Sequence, residues 1–226
     1  MIRRISWRVG SFSLLAASLV VVLASCGSSG RANPSLSPDQ SSAVNQQAST
    51  SGSGRTDLTA LHLTVPPFRY TDEQGKPFDS TQLKGKVWLA DMIFTHCTTV
   101  CPPMTAHMAK LQQQLAQQGL KVPIVSFSVD PKRDDPAALR TFAENYHADT
   151  STWHFLTGYS PQEIQQFAYQ AFRAPVQAEP MTDQFIHSSS FYVIGPDGRV
   201  RYMYDGVQTP YGAILADVKA LESAGK

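Results

Sequence analysis

Cysteine is scarce in this chain of 226 residues, which has only Cys26, Cys97 and Cys101. Three cysteines cannot staple a disulfide scaffold, and an odd count asks whether one of them has a separate task. Charge is also sparse, at 16% of residues, and nearly cancels, with 19 Lys plus Arg against 18 Asp plus Glu. That balance makes no basic field of the kind that collects phosphate backbones, so nucleic acid is not expected as a partner. No internal repeat, dinucleotide-binding glycine motif or phosphate-binding loop is present. The length and the 42% hydrophobic content suit one globular domain with appendages. They exclude a collagen, a coiled coil or a wholly disordered chain.

The N-terminus carries Arg3, Arg4 and Arg8 without an acid, and the apolar run Phe12 to Ala24 is too short to span a bilayer. Residues 1–25 therefore read as a secretory signal peptide. They end in Leu23, Ala24 and Ser25 before Cys26, a sequence that resembles the lipobox of bacterial lipoproteins, in which the cysteine is lipidated and becomes the first mature residue. Removing residues 1–25 leaves 16 basic against 18 acidic residues, so attraction to anionic lipid is not the anchor. Two acyl chains suffice, since each buried methylene contributes about 0.8 kcal/mol. The domain is then expected on the extracytoplasmic face of the cell membrane.

Gly27 to Arg55 holds 29 residues, 19 of them Ser, Gly, Gln, Asn or Thr, with Leu36 and Val44 the only large apolar side chains. Such a segment cannot offset its ordering entropy by burial, and a disordered tether is expected over 26–56. It would hold the domain within roughly 30 Å of the membrane surface. Residues 57–226 are expected to fold.

In that part, apolar runs alternate with helical periodicities. Phe68 to Phe78 reads as a hairpin turning at Asp72 to Lys76, and Lys86 to Phe94 (KVWLADMIF) as a buried strand. Pro102 and Pro103 suit the first turn of a helix carrying Met104, Met108, Leu111 and Leu115, which Gly119 stops. Strands are expected at Val122 to Val129 and Trp153 to Leu156, and helices at Pro136 to Tyr146 and Pro161 to Phe172. A hairpin over Phe191 to Tyr204 and a last helix from about Pro210 to Ser223 complete the pattern. This alternation predicts a three-layer α/β fold, with a central mixed sheet flanked by helices and added β-hairpins.

Cys97 and Cys101 (CTTVC) follow the best strand and open the best helix, where partial positive charge favours thiolate. Three uses compete: a structural disulfide, a redox dithiol and a soft metal site. Among the histidines, His96 adjoins Cys97, His107 lies on the next helix and His187 precedes the last hairpin. His62, His147 and His154 are expected to be surface or hydrogen-bonded core residues. Two thiolates with one imidazole suit copper, because thiolate is soft enough for Cu(I) and imidazole helps to hold Cu(II). Zinc would want a fourth protein ligand or an open water position.

Asp91 interrupts its strand six residues before Cys97. It reads either as a buried carboxyl of raised pKa that exchanges protons with a thiol, or as a strand-end carboxylate reaching solvent. Asp130 ends the second strand, where α/β sheets place ligand groups or cap a turn. Met104 and Met108 read as core.

FTHCTTVCPPM, then FSVDPKRDDPAALRTFA, WHFLTG and IHSSSFYVIGPDG, in that order, resemble the Sco/SenC family of membrane-tethered copper proteins. The resemblance implies a thioredoxin-like fold and copper held by Cys97, Cys101 and His187, with Asp130 matching the family's acidic residue near the site. It also implies a partner, cytochrome c oxidase subunit II, whose copper A centre the domain helps to assemble. Thr98 departs from the proline that many members carry after the first cysteine, a change that bears on loop geometry and spares the ligands. Two working roles fit the pattern: a metallochaperone that delivers copper, and a thiol:disulfide oxidoreductase that keeps the oxidase's cysteines reduced. The CxxxC spacing, wider than that of thioredoxin-like catalysts, favours the first.

Overall fold

A computed structural model of the protein describes residues 50–51 and 54–224. In chain order the strands and helices are β1 (Thr50–Ser51), β2 (Arg55–Asp57), β3 (Arg69–Thr71), β4 (Pro77–Asp79), β5 (Trp88–Ile93), α1 (Cys101–Gln117), β6 (Ile124–Ser128) and α2 (Pro136–Asn145). They continue with β7 (Trp153–Leu156), α3 (Pro161–Phe172), β8 (Gln177–Ala178), β9 (Phe185–Ile186), β10 (Ser190–Ile194), β11 (Val200–Asp205) and α4 (Tyr211–Ala224). Seven strands form one mixed sheet in the order β1-β2-β11-β10-β5-β6-β7. Every expected strand and helix of the folded part is present, with ends shifted by at most two residues.

β5 lies inside the sheet with all six residues buried, because it is paired on both sides and covered on both faces. One layer packs α3 and the β3–β4 hairpin around Phe68, Phe127, Phe167 and Phe172. The opposite layer packs α1, α2 and α4, where Met104 and Met108 are fully buried, as core residues should be. Capping sets the helix starts: Asp135 accepts from the Ala138 amide ahead of α2, and Ser160 from the Glu163 amide ahead of α3, each followed by proline. Among the described residues no helix is long and apolar enough to cross a membrane.

Topology brings the distant histidine to the cysteines. β5, β6 and β7 are parallel and finish at one end of the sheet, so the loops after β5 and β6 are neighbours. β10 runs antiparallel to β5, pairing Tyr192 with Ala90 and Ile194 with Trp88. Its start therefore lies at the end where β5 stops, and His187 is delivered beside Cys97 and Cys101.

The sheet begins before residue 57, where folding was expected to start. β2 pairs with β11 through Arg55 and Tyr204, Thr56 and Met203, Asp57 and Tyr202, and β1 pairs with β2. β1 and the first two residues of β2 lie within the segment read as a tether. Arg-Thr-Asp shows no apolar alternation. What holds it is a long-range contact, the Arg55 guanidinium donating 3.0 Å bonds to both Asp217 oxygens while lying over the Tyr202 ring. The expected signal peptide, the lipidated Cys26 and the tether up to residue 49 lie outside the described residues.

Candidate metal centre

The chain leaves β5 at Phe94 and turns at once, the Cys97 amide donating to the Phe94 carbonyl at 3.2 Å. Four residues later α1 begins, and its first turn lacks the usual donors. Pro102 and Pro103 have no N–H, and the Met104 amide is taken by the Val100 carbonyl at 3.2 Å. Val100, at the N-cap, offers no side-chain acceptor. The Cys101 amide is left, and it donates to Cys97 Sγ at 3.3 Å. Cys97 sulfur therefore caps α1, and the helix end favours negative charge on it.

His187 completes the group. Its ring meets Phe94 edge-on with centroids 5.6 Å apart, and Phe94 in turn packs on Phe185 of β9. Nδ1 lies 2.9 Å from the Ser188 carbonyl oxygen, which can only accept, so Nδ1 carries the proton. Nε2 then turns its lone pair towards the cysteines and sits 3.4 Å from Cys101 Sγ. One donor atom from each of Cys97, Cys101 and His187 lies within 4.8 Å of the others, so the three can hold one metal ion.

The two buried thiols are free and unequal. Hydrogen bonding from the Cys101 thiol, helped by the Thr99 and Cys101 amides, holds Cys97 well below the ordinary thiol range against the cost of burial. Cys101 is pushed up, first by that same bond to the Cys97 sulfur and then by burial. The reduced pair thus holds one thiolate and one shared proton, which a metal would displace.

Asp91 takes the buried alternative. It is 1% exposed, accepts from Ser126 Oγ at 2.5 Å, and has its pKa raised to about 7 by burial, only partly offset by that bond and by the nearby imidazole. Asp130 is also buried, but its carboxylate is held by Arg133 rather than by a thiol. Arg133 also donates to the Asp183 carbonyl, so Asp130 braces the segment that leads to His187. His96 stays outside the group, with Nδ1 2.9 Å from Thr95 Oγ1, and His107 joins α1 to α4 by contacting the Tyr211 hydroxyl.

Asp134, which sequence reasoning passed over, is a positioning residue. It is fully buried and accepts from Thr95 Oγ1 at 2.6 Å, from the Thr95 amide and from Ser128 Oγ at 2.6 Å, clamping the start of the cysteine loop to the end of β6. An acid four residues after Asp130 in SVDPKRDDP was the available signal, but only the fold shows which acid turns inward. Asp134→Ala is expected to lower unfolding free energy by about 2–3 kcal/mol, because buried donors lose a charged acceptor. Urea unfolding of the reduced, metal-free protein measures it.

A family sequence model described as SCO1/SenC matches residues 56–222. The chain belongs to that family. The SCO1/SenC family lipoprotein of Bacillus anthracis str. Ames is 47% identical, with a TM-score of 0.70 over 72% of this chain and 96% of its own. BsSco, described with a disulfide switch and as a member of the Sco family of cytochrome c oxidase assembly proteins, is 50% identical, with a TM-score of 0.67 over 72% and 95%. ScoI of Bradyrhizobium japonicum, solved with copper bound, is 28% identical, with a TM-score of 0.60 over 70% and 99%. These Sco neighbours make the fold thioredoxin-like, as the family resemblance implied.

Proposed function

We propose that the protein is a copper chaperone. Reduced Cys97 and Cys101 with His187 would take up copper, and the domain would hand it to cytochrome c oxidase subunit II during assembly of the copper A centre. The observation that carries this reading is the convergence of two thiols and an imidazole whose other nitrogen is already committed to Ser188, leaving Nε2 free as a ligand. The donors fit copper in both its states: the sulfurs are soft enough for Cu(I), and the imidazole supports Cu(II). His187 is only half-buried while both cysteines are buried, which suits transfer past the imidazole side. Copper in the Bradyrhizobium relative and the description of BsSco support the cargo and the target.

The same proposal includes cleavage after residue 25, lipidation of Cys26 and a tether that keeps the domain on the extracytoplasmic face. The N-terminal pattern of charge, apolar run and small residues supports it, as does the lipoprotein description of the Bacillus anthracis relative.

Thiol reduction of the oxidase is the second reading, favoured by the unequal cysteine pair, since a stabilised Cys97 thiolate beside a protonated Cys101 is what exchange chemistry uses. Anaerobic titration of the fully reduced protein with Cu(II), and separately with Cu(I), decides between them. A chaperone is expected to bind one equivalent of Cu(II) with thiolate-to-copper charge-transfer absorption, lost in Cys97→Ala and in Cys101→Ala. Oxidation of the thiols by Cu(II) without a stable complex, together with weak Cu(I) binding, would reject delivery and leave the exchange reading.

A further inference from the structure

A second polar cluster lies on the β3–β4 hairpin and the edge strand β7, among residues that no part of the copper reading uses. The turn between β3 and β4 carries Asp72 and Glu73, whose side chains point into the protein even though turn residues usually face water. Asp72 is 7% exposed and Glu73 1%. Asp72 Oδ1 accepts the Gln74 and Lys76 amides at 3.0 and 2.8 Å, which closes the turn. Glu73 Oε2 accepts the Phe155 amide of β7 at 3.0 Å. Glu73 Oε1 is buried and has no hydrogen-bond partner, and the same holds for Nδ1 of the half-buried His154.

One donor atom from each of Asp72, Glu73 and His154 lies within 4.8 Å of the others. Among the described residues neither carboxylate is ion-paired with Lys or Arg. Two neighbouring buried carboxyl groups without a cation, one with an orphaned oxygen, would be costly to keep unless something positive is supplied. An imidazole with two carboxylates is a set that zinc and similar divalent ions accept, with a fourth position open to water.

We propose that Asp72, Glu73 and His154 form a second metal site, for a borderline divalent transition-metal ion such as zinc(II), separate from the cysteine site. Its role would be to clip the hairpin to the sheet. β7 is the last strand of the sheet, and the hairpin covers its open edge through reciprocal Thr71 and Thr157 amide-to-carbonyl bonds of 2.9 and 2.8 Å. Gly158 allows this approach, since a Cβ there would meet Thr71 Oγ1 at 2.6 Å. A metal bridging turn and strand would add a crosslink beside those bonds.

The test is calorimetric titration with Zn(II) alone of full-length protein carrying Cys97→Ser and Cys101→Ser, with reduced wild type in parallel in case that background folds poorly. One equivalent is expected in the double-serine background, and one more than the cysteine site takes up in wild type. Binding at this site should raise the melting temperature and be weakened about tenfold or more by Glu73→Gln and by His154→Phe. Both substitutions preserve shape, and metal-free melting curves show whether each variant is folded. Absence of the additional equivalent, or its survival unweakened in either folded variant, overturns the site. Failure of the copper titration at the cysteines leaves this result untouched.

Discussion

Replacing His187 by alanine should abolish the stable Cu(II) complex of the reduced protein and leave Cu(I) binding largely intact. The reason is the donor set. Cys97 and Cys101 satisfy a soft monovalent ion by themselves, whereas Cu(II) with thiolates alone is prone to oxidise them, and an imidazole ligand is what holds the divalent state. His187 Nε2, 3.4 Å from Cys101 Sγ, is the only imidazole nitrogen grouped with the two sulfurs among the described residues. Loss of a direct ligand should cost more than the hundredfold that marks the upper range for outer partners, so Cu(II) affinity is expected to fall by more than about a hundredfold. Cu(I) affinity should change by less than about tenfold. Competition titrations and the charge-transfer band report the two ions separately. His96→Ala is the control, because that side chain is exposed and turned to Thr95, and it should leave both affinities in place. Cu(II) affinity retained in His187→Ala would reject the third ligand.

The parts of this geometry that could be read from the residues are those with local causes. KVWLADMIF announces a buried strand because both of its faces need cover, and two prolines followed by Met104, Met108, Leu111 and Leu115 announce a helix. The proximity of Cys97 and Cys101 follows from four-residue spacing at that helix start. His187 is different: 86 positions separate it from Cys101. Nothing local ties the two together, and only the family pattern named it before the antiparallel return of β10 explained it. Asp134 and Asp130 sit in one acidic stretch with the same composition around them, and their division into loop clamp and Arg133 partner is fixed by register against Thr95 and Ser128. β2 and the β8–β9 hairpin escaped notice because strands of two or three residues are too short to carry a periodicity. Burial of Glu73 is equally silent in sequence, since DEQGK reads as a solvated turn until β7 is laid against it.

Asp91→Asn is expected to stabilise the reduced, metal-free protein at alkaline pH and to do little at acid pH. Burial is the dominant cause of the raised pKa of Asp91, which lies at about 7 against an ordinary value of 3.8. Between those two values the native state holds a proton that the unfolded chain has released, so stability falls as pH rises through that window. A shift of about three units corresponds to about 4 kcal/mol, fully felt only above pH 7. Asparagine resembles the neutral acid and can still accept from Ser126 Oγ, whose own position is fixed by the Trp153 indole N–H at 2.8 Å. The two proteins should therefore be equally stable near pH 4, and the variant should gain up to about 4 kcal/mol by pH 8. Chemical unfolding across that range measures the difference, and a constant offset at all pH values would show that Asp91 does not titrate near neutrality. The substitution should also reach the cysteine pair, because the Asp91 charge is one of the causes that push Cys101 up. Removing it should let Cys101 ionise at lower pH, visible as thiolate absorbance, and ease release of the proton that a metal must displace.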